Sequence, residues 1–154
     1  MELSDLLSPE AIAPSLRTSS KKHLLQELAN RAGEIYGVDS RRVFEALLER
    51  ERLGPTGMGR GVAIPHARLP ELTEIYGLFA RLEDSVDFDA MDGEPVDLVF
   101  MILAPEDAGA AHLKALARVS RTLRDPAICA KLRASADESS IYAILTDAAP
   151  SRAA

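Results

Sequence analysis

The chain has 154 residues, with 18 Lys or Arg against 24 Asp or Glu, a formal net charge of −6 and a pI near 5.1. That length fits one domain with a workable core, while a mildly acidic surface of mixed sign excludes the basic face that general nucleic-acid affinity needs. Aromatics are 5% with no tryptophan, so base-stacking platforms are excluded too, and no apolar run approaches the roughly 18 residues of a membrane span.

In chain order, one helical turn at Leu3–Leu7 precedes a brief extended piece within the first fourteen residues. Ser19 or Ser20 caps a helix running to about Ala32, with Leu24, Leu25 and Leu28 on its buried stripe and Gly33 and Gly37 punctuating the exit. Asp39 or Ser40 caps a second helix, apolar at Val43, Phe44, Leu47 and Leu48 and stopped by Gly54-Pro55. Val62–Pro65 reads as a short strand that ends at His66. Ile75–Leu82 reads as another, weakened by Gly77. Val86–Phe88 is a separate extended piece before an Asp92-Gly93 turn.

Val96–Ala104 is almost unbroken apolar and rich in strand formers, which predicts a central strand covered on both faces. Three helices follow. One spans about Ala108–Leu123 with Leu113, Leu116, Ala117, Ser120 and Leu123 inward; one starts at Asp125-Pro126; one covers about Glu138–Thr146 with Ile141, Ile144 and Leu145 inward. Strands and helices around one hydrophobic strand predict a covered sheet, hence the α/β class. The single Cys129 cannot form an internal disulfide, which predicts a reducing, cytoplasmic home.

The densest chemistry lies in Thr56-Gly57-Met58-Gly59-Arg60-Gly61-Val62-Ala63-Ile64-Pro65-His66. Three alternating glycines let the main chain approach an anion and turn N–H groups toward it. Pro65 fixes the backbone just before His66, so the imidazole is presented in a set direction. The segment is no P-loop, lacking Gly-Lys-Ser/Thr, and no dinucleotide fingerprint, because it leads into a strand rather than a helix. The three histidines, His23, His66 and His112, lack metal-ligand spacing, and no G-x-S-x-G elbow exists. His23, in a Lys-Lys-His helix start, reads as solvated. His112 falls in the first turns of its helix, beside the core positions rather than among them. Helix N-termini disfavour extra positive charge and attract anions. A neutral His112 facing His66 would bracket a phosphoryl group.

Read together, Glu51–His66 resembles the active-site segment of the enzyme IIA family of the phosphoenolpyruvate-dependent phosphotransferase system, in its fructose/mannitol/nitrogen-regulatory branch. The family pattern is close to T-G-I-G-N-G-I-A-I-P-H. Phe88–Leu98 resembles the family's F-D-A-x-D-x-x-P-V-D-L, and Ala111–Leu116 its H-L-x-x-L helix. The resemblance covers nearly the whole chain and is strongest to the nitrogen-regulatory members. It implies one domain over residues 1–148, a mixed, mostly parallel sheet with helices on both sides, and a flexible tail at 149–154.

By the same resemblance His66 is the phospho-acceptor, His112 the second active-site histidine, and Arg50 a holder of phosphoryl charge. Thr56, Gly57, Gly59 and Gly61 form the implied phosphate-binding loop. No metal or organic cofactor is implied. Arg60 stands where the family usually has Asn and is expected to face solvent; Ala67-Arg68 replaces a common Gly-Lys. The implied donor is a histidine-containing phosphocarrier protein, and the implied downstream partners are regulated transporters or sensor kinases, with no nucleic acid and no direct membrane insertion. Three functional expectations follow. The first is a regulatory phosphocarrier, favoured because the chain carries no fused membrane or IIB segment. The second is a sugar-transport enzyme IIA that passes phosphate to a IIB domain. The third is a binding module that regulates partners without catalysis.

Overall fold

Leu3 and Leu6 are buried on a single helical turn, α1 (Leu3–Leu6), whose start is closed by the Asp5 carboxylate accepting from the Glu2 N–H. A 3₁₀ turn at Pro9–Ala11 leads into β1 (Ile12–Leu16). The structure, a computed structural model, describes residues 1–147; the expected boundary at 148 and the tail at 149–154 therefore lie outside the described residues.

Ser20 caps α2 (Lys21–Tyr36) by accepting from the His23 N–H at 3.1 Å. The helix runs one turn beyond the predicted stop. Gly33 stays helical, and its missing side chain admits the returning chain: a Cβ there would lie 3.2 Å from the Val38 carbonyl oxygen. The exit comes at Gly37, in the left-handed region at φ 72°. Asp39 caps α3 (Ser40–Arg52) by accepting from the Arg41 and Arg42 N–H groups.

The strands that follow are β2 (Gly57–Gly59), β3 (Val62–Ala63), β4 (His66–Leu69), β5 (Tyr76–Val86) and β6 (Val96–Pro105). They form one six-stranded sheet in the order β1-β5-β6-β3-β2, with β4 also paired to β6. The β1·β5, β3·β6 and β4·β6 pairings are parallel, and β5·β6 and β2·β3 antiparallel, so the sheet is mixed and mostly parallel. In β6 only Asp97 and Pro105 escape full burial, as a strand covered on both faces requires.

Two strand readings are corrected. His66 does not end the strand that begins at Val62; it opens the next one. Ala63 pairs with Val99 and His66 with Ile102, the same offset, so β3 and β4 form one interrupted partner of β6. The interruption is Ile64-Pro65: Ile64 N–H donates to Thr56 O at 3.1 Å, turned away from β6, and proline has no N–H to give. Val86 is not a separate piece either, because β5 continues to it through a register shift after Arg81. Gly77 serves this strand, since a Cβ there would sit 2.8 Å from the Phe100 ring.

α2 and α3 pack on one another, α2 against β5 and α3 against β4; α4 (Ala110–Leu123), α5 (Pro126–Ala134) and α6 (Glu138–Asp147) form a second group, with α4 on β6 and α6 on β1. The buried face of α4 is His112, Ala115, Val119, Thr122 and Leu123. The expected stripe through Leu113 and Ala117 is therefore out of phase, and His112 lies among the core positions rather than beside them. Small Ala115 and Val119 permit a close seat on the sheet, which turns Leu113 outward at 62% exposure. Asp125 caps α5 and Asp137 closes the start of α6, each accepting a backbone N–H.

Candidate active site

Interruption of the strand at Pro65 sets the first histidine. Coming out of Ile64-Pro65, His66 re-enters the ladder with its Nδ1 2.9 Å from the Ile64 carbonyl oxygen. A carbonyl only accepts, so Nδ1 carries the proton and Nε2 the lone pair. Arg50, in the last turn of α3, donates from Nε to that Nε2 at 3.3 Å and from Nη1 to Gly54 O at 2.9 Å. One guanidinium thus ties the helix end, the following turn and the imidazole together. Burial pushes His66 below its ordinary pKa, and the charges of Arg50 and Arg68 add to that, partly opposed by the Ile64 carbonyl. The ring is neutral at pH 7, its Nε2 lone pair engaged only by the long Arg50 hydrogen bond, the protonation state a nucleophile needs.

The second histidine arrives from the other side of the cleft. His112 is 3% exposed, and its ring stands edge-on to His66, with centroids 5.5 Å apart at 71°. Its pKa is pushed down to about 4, chiefly by burial and further by His66 and Arg68. Neutrality, expected from the helix N-terminus, is thus due mainly to desolvation. Arg68 Nε donates to His112 Nδ1 at 2.9 Å, and His112 Nε2 is buried without a hydrogen-bond partner among the described residues.

Arg50, His66 and His112 share one cleft of about 480 Å³ with Arg68, Leu53 and Leu113 on its walls. Leu53 and Leu113 are 81% and 62% exposed, giving the charged cleft an apolar rim. Among the described residues no three His, Cys, Asp or Glu side chains group closely enough to hold a metal ion. His23 is exposed on α2, its Nδ1 accepting from the Ser19 N–H, and stands apart from the cleft.

The glycine loop is not brought to the cleft wall. A Cβ on Gly57 would meet that of Ala90 at 2.9 Å, and one on Gly59 the Asp92 carboxylate at 3.0 Å. One on Gly61 would lie 2.6 Å from Arg133 Nη2. These glycines admit the 88–97 segment and the Asp97–Arg133 pair. Thr56 gives both its N–H and its hydroxyl to the Glu51 carboxylate. Arg60 is exposed; its N–H donates to Asp92 at 2.8 Å.

Two contributors lie beyond the residues given a site role from sequence. Arg68 shares a face of β4 with His66 by the two-residue period, a signal that was present in the spacing. Glu51, beside Arg50, is a buried carboxylate held by Thr56 and by Lys21 at 3.0 Å. That pairing spans α2 and α3, and no local pattern announces it.

Residues 5–148 match the family described as phosphoenolpyruvate-dependent sugar phosphotransferase system, EIIA 2. The nitrogen regulatory protein of Bradyrhizobium diazoefficiens is 60% identical over 145 residues, covering 94% of this chain and 95% of that one. The nitrogen regulatory protein of Escherichia coli K12 is 40% identical over 148 residues, covering 96% and 91%. A crystal structure of the nitrogen regulatory protein IIA-Ntr from Neisseria meningitidis superposes with a TM-score of 0.88 at 35% identity, covering 94% of this chain and 99% of that one. With the two histidines meeting in one arginine-lined cleft on this sheet, the chain belongs to the EIIA 2 family of the phosphoenolpyruvate-dependent phosphotransferase system.

Proposed function

We propose that His66 Nε2 accepts a phosphoryl group from the phosphohistidine of a small carrier protein. The observation that carries this reading is the tautomer: Nδ1 is committed to Ile64 O, leaving the Nε2 lone pair on the cleft side with Arg50. The N–P bond to the donor imidazole breaks as the bond from Nε2 to phosphorus forms, and the donor nitrogen recovers its electron pair. His66 keeps its Nδ1 proton throughout. The transition state is loose and its charge lies on the peripheral oxygens, so catalysis consists of alignment and charge stabilisation. Arg50 supplies a fixed cation for those oxygens, and the His112 ring stands edge-on beside the acceptor ring. Thr56 and the glycines act at one remove in this reading, by holding the chain that delivers Ile64 and His66.

The regulatory role is the one carried by the relatives named nitrogen regulatory proteins, and the chain matches them over almost their whole length. Phosphorylation adds about −1.5 to −2 charges at pH 7 for a phosphomonoester, and phosphohistidine carries a comparable load. Delivered beside Arg50 and Arg68 and between Leu53 and Leu113, that charge alters the face a partner meets. The partners in this reading are a phosphocarrier donor and cytoplasmic regulatory targets such as transporters or sensor kinases. Among the described residues no helix is long and apolar enough to cross a membrane.

The test is incubation with phosphoenolpyruvate, enzyme I and the carrier, followed by mass mapping and acid-lability of the modified residue. One acid-labile phosphate on His66, absent in His66→Ala, is the expected outcome; retained stoichiometric labelling in that variant overturns the assignment. Onward transfer to a fructose- or mannitol-type IIB domain would replace the regulatory role with a transport one.

A further inference from the structure

The His112 ring has two nitrogens and, when neutral, one proton to place between them. Arg68 decides the matter by chemistry rather than by charge alone. A guanidinium Nε–H can only donate, and it lies 2.9 Å from His112 Nδ1. A proton on Nδ1 would set two donors against each other at that distance. The lone pair must therefore face Arg68, and the proton must sit on Nε2. That Nε2 is buried and has no partner among the described residues, although the ring lies against His66 at 5.5 Å. A buried donor without a partner is rare in a folded protein, and a phosphoryl oxygen that reached it would supply the missing acceptor.

We infer that Arg68 is a positioning residue: by donating to Nδ1 it locks His112 as the Nε2–H tautomer, which presents a hydrogen-bond donor to a phosphoryl oxygen. The catalytic consequence rests on the proposed phosphoryl transfer, whereas the tautomer does not. Strand geometry makes the arrangement possible. His66 and Arg68 are alternate residues on one face of β4, so one short strand carries the acceptor and the group that orients its neighbour. Arg68 is itself exposed, reaching the buried ring from the rim, which lets it be substituted without opening the core.

Two variants separate hydrogen bond from charge. In Arg68→Gln the amide nitrogen stands at the same number of bonds from Cα as Nε, so the donor is kept and the cation lost. In Arg68→Met both are lost. Nitrogen-15 NMR of the imidazoles in the unphosphorylated protein at neutral pH reads the tautomer directly. Wild type and Arg68→Gln should show His112 protonated on Nε2, and Arg68→Met an exchanging mixture. A proton on Nδ1 in wild type, or an unchanged pattern in Arg68→Met, overturns the proposal. Single-turnover uptake from the phosphorylated carrier reads the consequence. Arg68→Met should be slowed about tenfold or more, as when an orienting partner of a reactive imidazole is lost, and Arg68→Gln should keep most of the rate. A tautomer change with unaltered uptake removes Arg68 from the reaction while leaving His66 as acceptor. No uptake by wild type would instead defeat the phosphoryl-transfer reading and leave the tautomer result intact.

Discussion

Lys21 and Glu51 form an ion pair 3.0 Å long, with the Glu51 side chain only 4% exposed. The ammonium also lies over the Phe88 ring at 4.5 Å, and the carboxylate takes the Thr56 N–H and hydroxyl. Three stretches distant in sequence are clamped there: the start of α2, the end of α3 with the loop after it, and the 88–89 stretch. Glu51→Ala would leave the mostly buried Lys21 with only the exposed Asp89 carboxylate, 3.9 Å away, as counter-charge, and the Thr56 N–H without an acceptor. The expected loss is about 3 kcal/mol, at the low end for a broken buried pair because Lys21 keeps some contact with water. Urea unfolding measures it, and a loss under about 1 kcal/mol would contradict the clamp.

His112→Ala should retain the fold and slow phosphoryl uptake roughly a hundredfold or more, the scale seen when one preorganised donor is removed. Arg50→Lys should also be slow, because an ammonium cannot bond to His66 Nε2 and Gly54 O through two separate N–H groups of one plane. Rapid-quench single turnovers give both rates. Wild-type rates in either variant would remove that side chain from the chemistry.

Acid should weaken the fold through His112. An unfolded chain protonates this ring near 6.5, whereas the folded protein resists until about 4. The contribution of the neutral ring is therefore complete above pH 6.5 and is lost as pH falls from 6.5 toward 4. It reaches about 3 kcal/mol at ~1.4 kcal/mol per unit of pKa difference. His66, also lowered, acts in the same direction. Unfolding free energies of wild type and His112→Gln, taken from pH 7 down to 4, isolate the effect. The difference should shift against wild type on acidification, and a pH-independent difference would refute it.

Gly61→Ala should destabilise without touching the cleft. The residue sits at φ +81°, and the new methyl would lie 2.6 Å from Arg133 Nη2 and 2.9 Å from Asp97 Oδ1. Strain and a displaced Arg133–Asp97 pair together should cost about 2 kcal/mol. For a domain of this size that is a drop in Tm of roughly 4–8 °C by calorimetry. Labelling of His66 at a temperature where the variant is folded should be unchanged.

The central strand was readable because an apolar run of that length has few other solutions, and the helix starts because Ser20, Asp39 and Asp125 are caps with a mechanism. The mixed sheet and the two-sided cover implied by the resemblance are present. The α4 face is not legible in the sequence because periodicity gives a stripe but not its rotation about the axis: a stripe through the larger Leu113 competes with one through Ala115 and Val119, which close packing on β6 favours. Strand limits near His66 were misread because Ile64-Pro65 interrupts pairing without changing register. The two histidines were legible as types. Their 5.5 Å meeting, and the Arg68 and Glu51 contacts behind it, depend on segments far apart in the chain.

Because β3 and β4 share one offset along β6, the ring that would receive phosphate is hooked onto a strand buried without a break from Leu98 to Ala104. Its backbone should open to solvent exchange only when the domain comes apart as a whole. Any rearrangement around that ring must therefore come from the side chains of the cleft, such as the exposed Leu53 and Leu113, rather than from the strand that carries it.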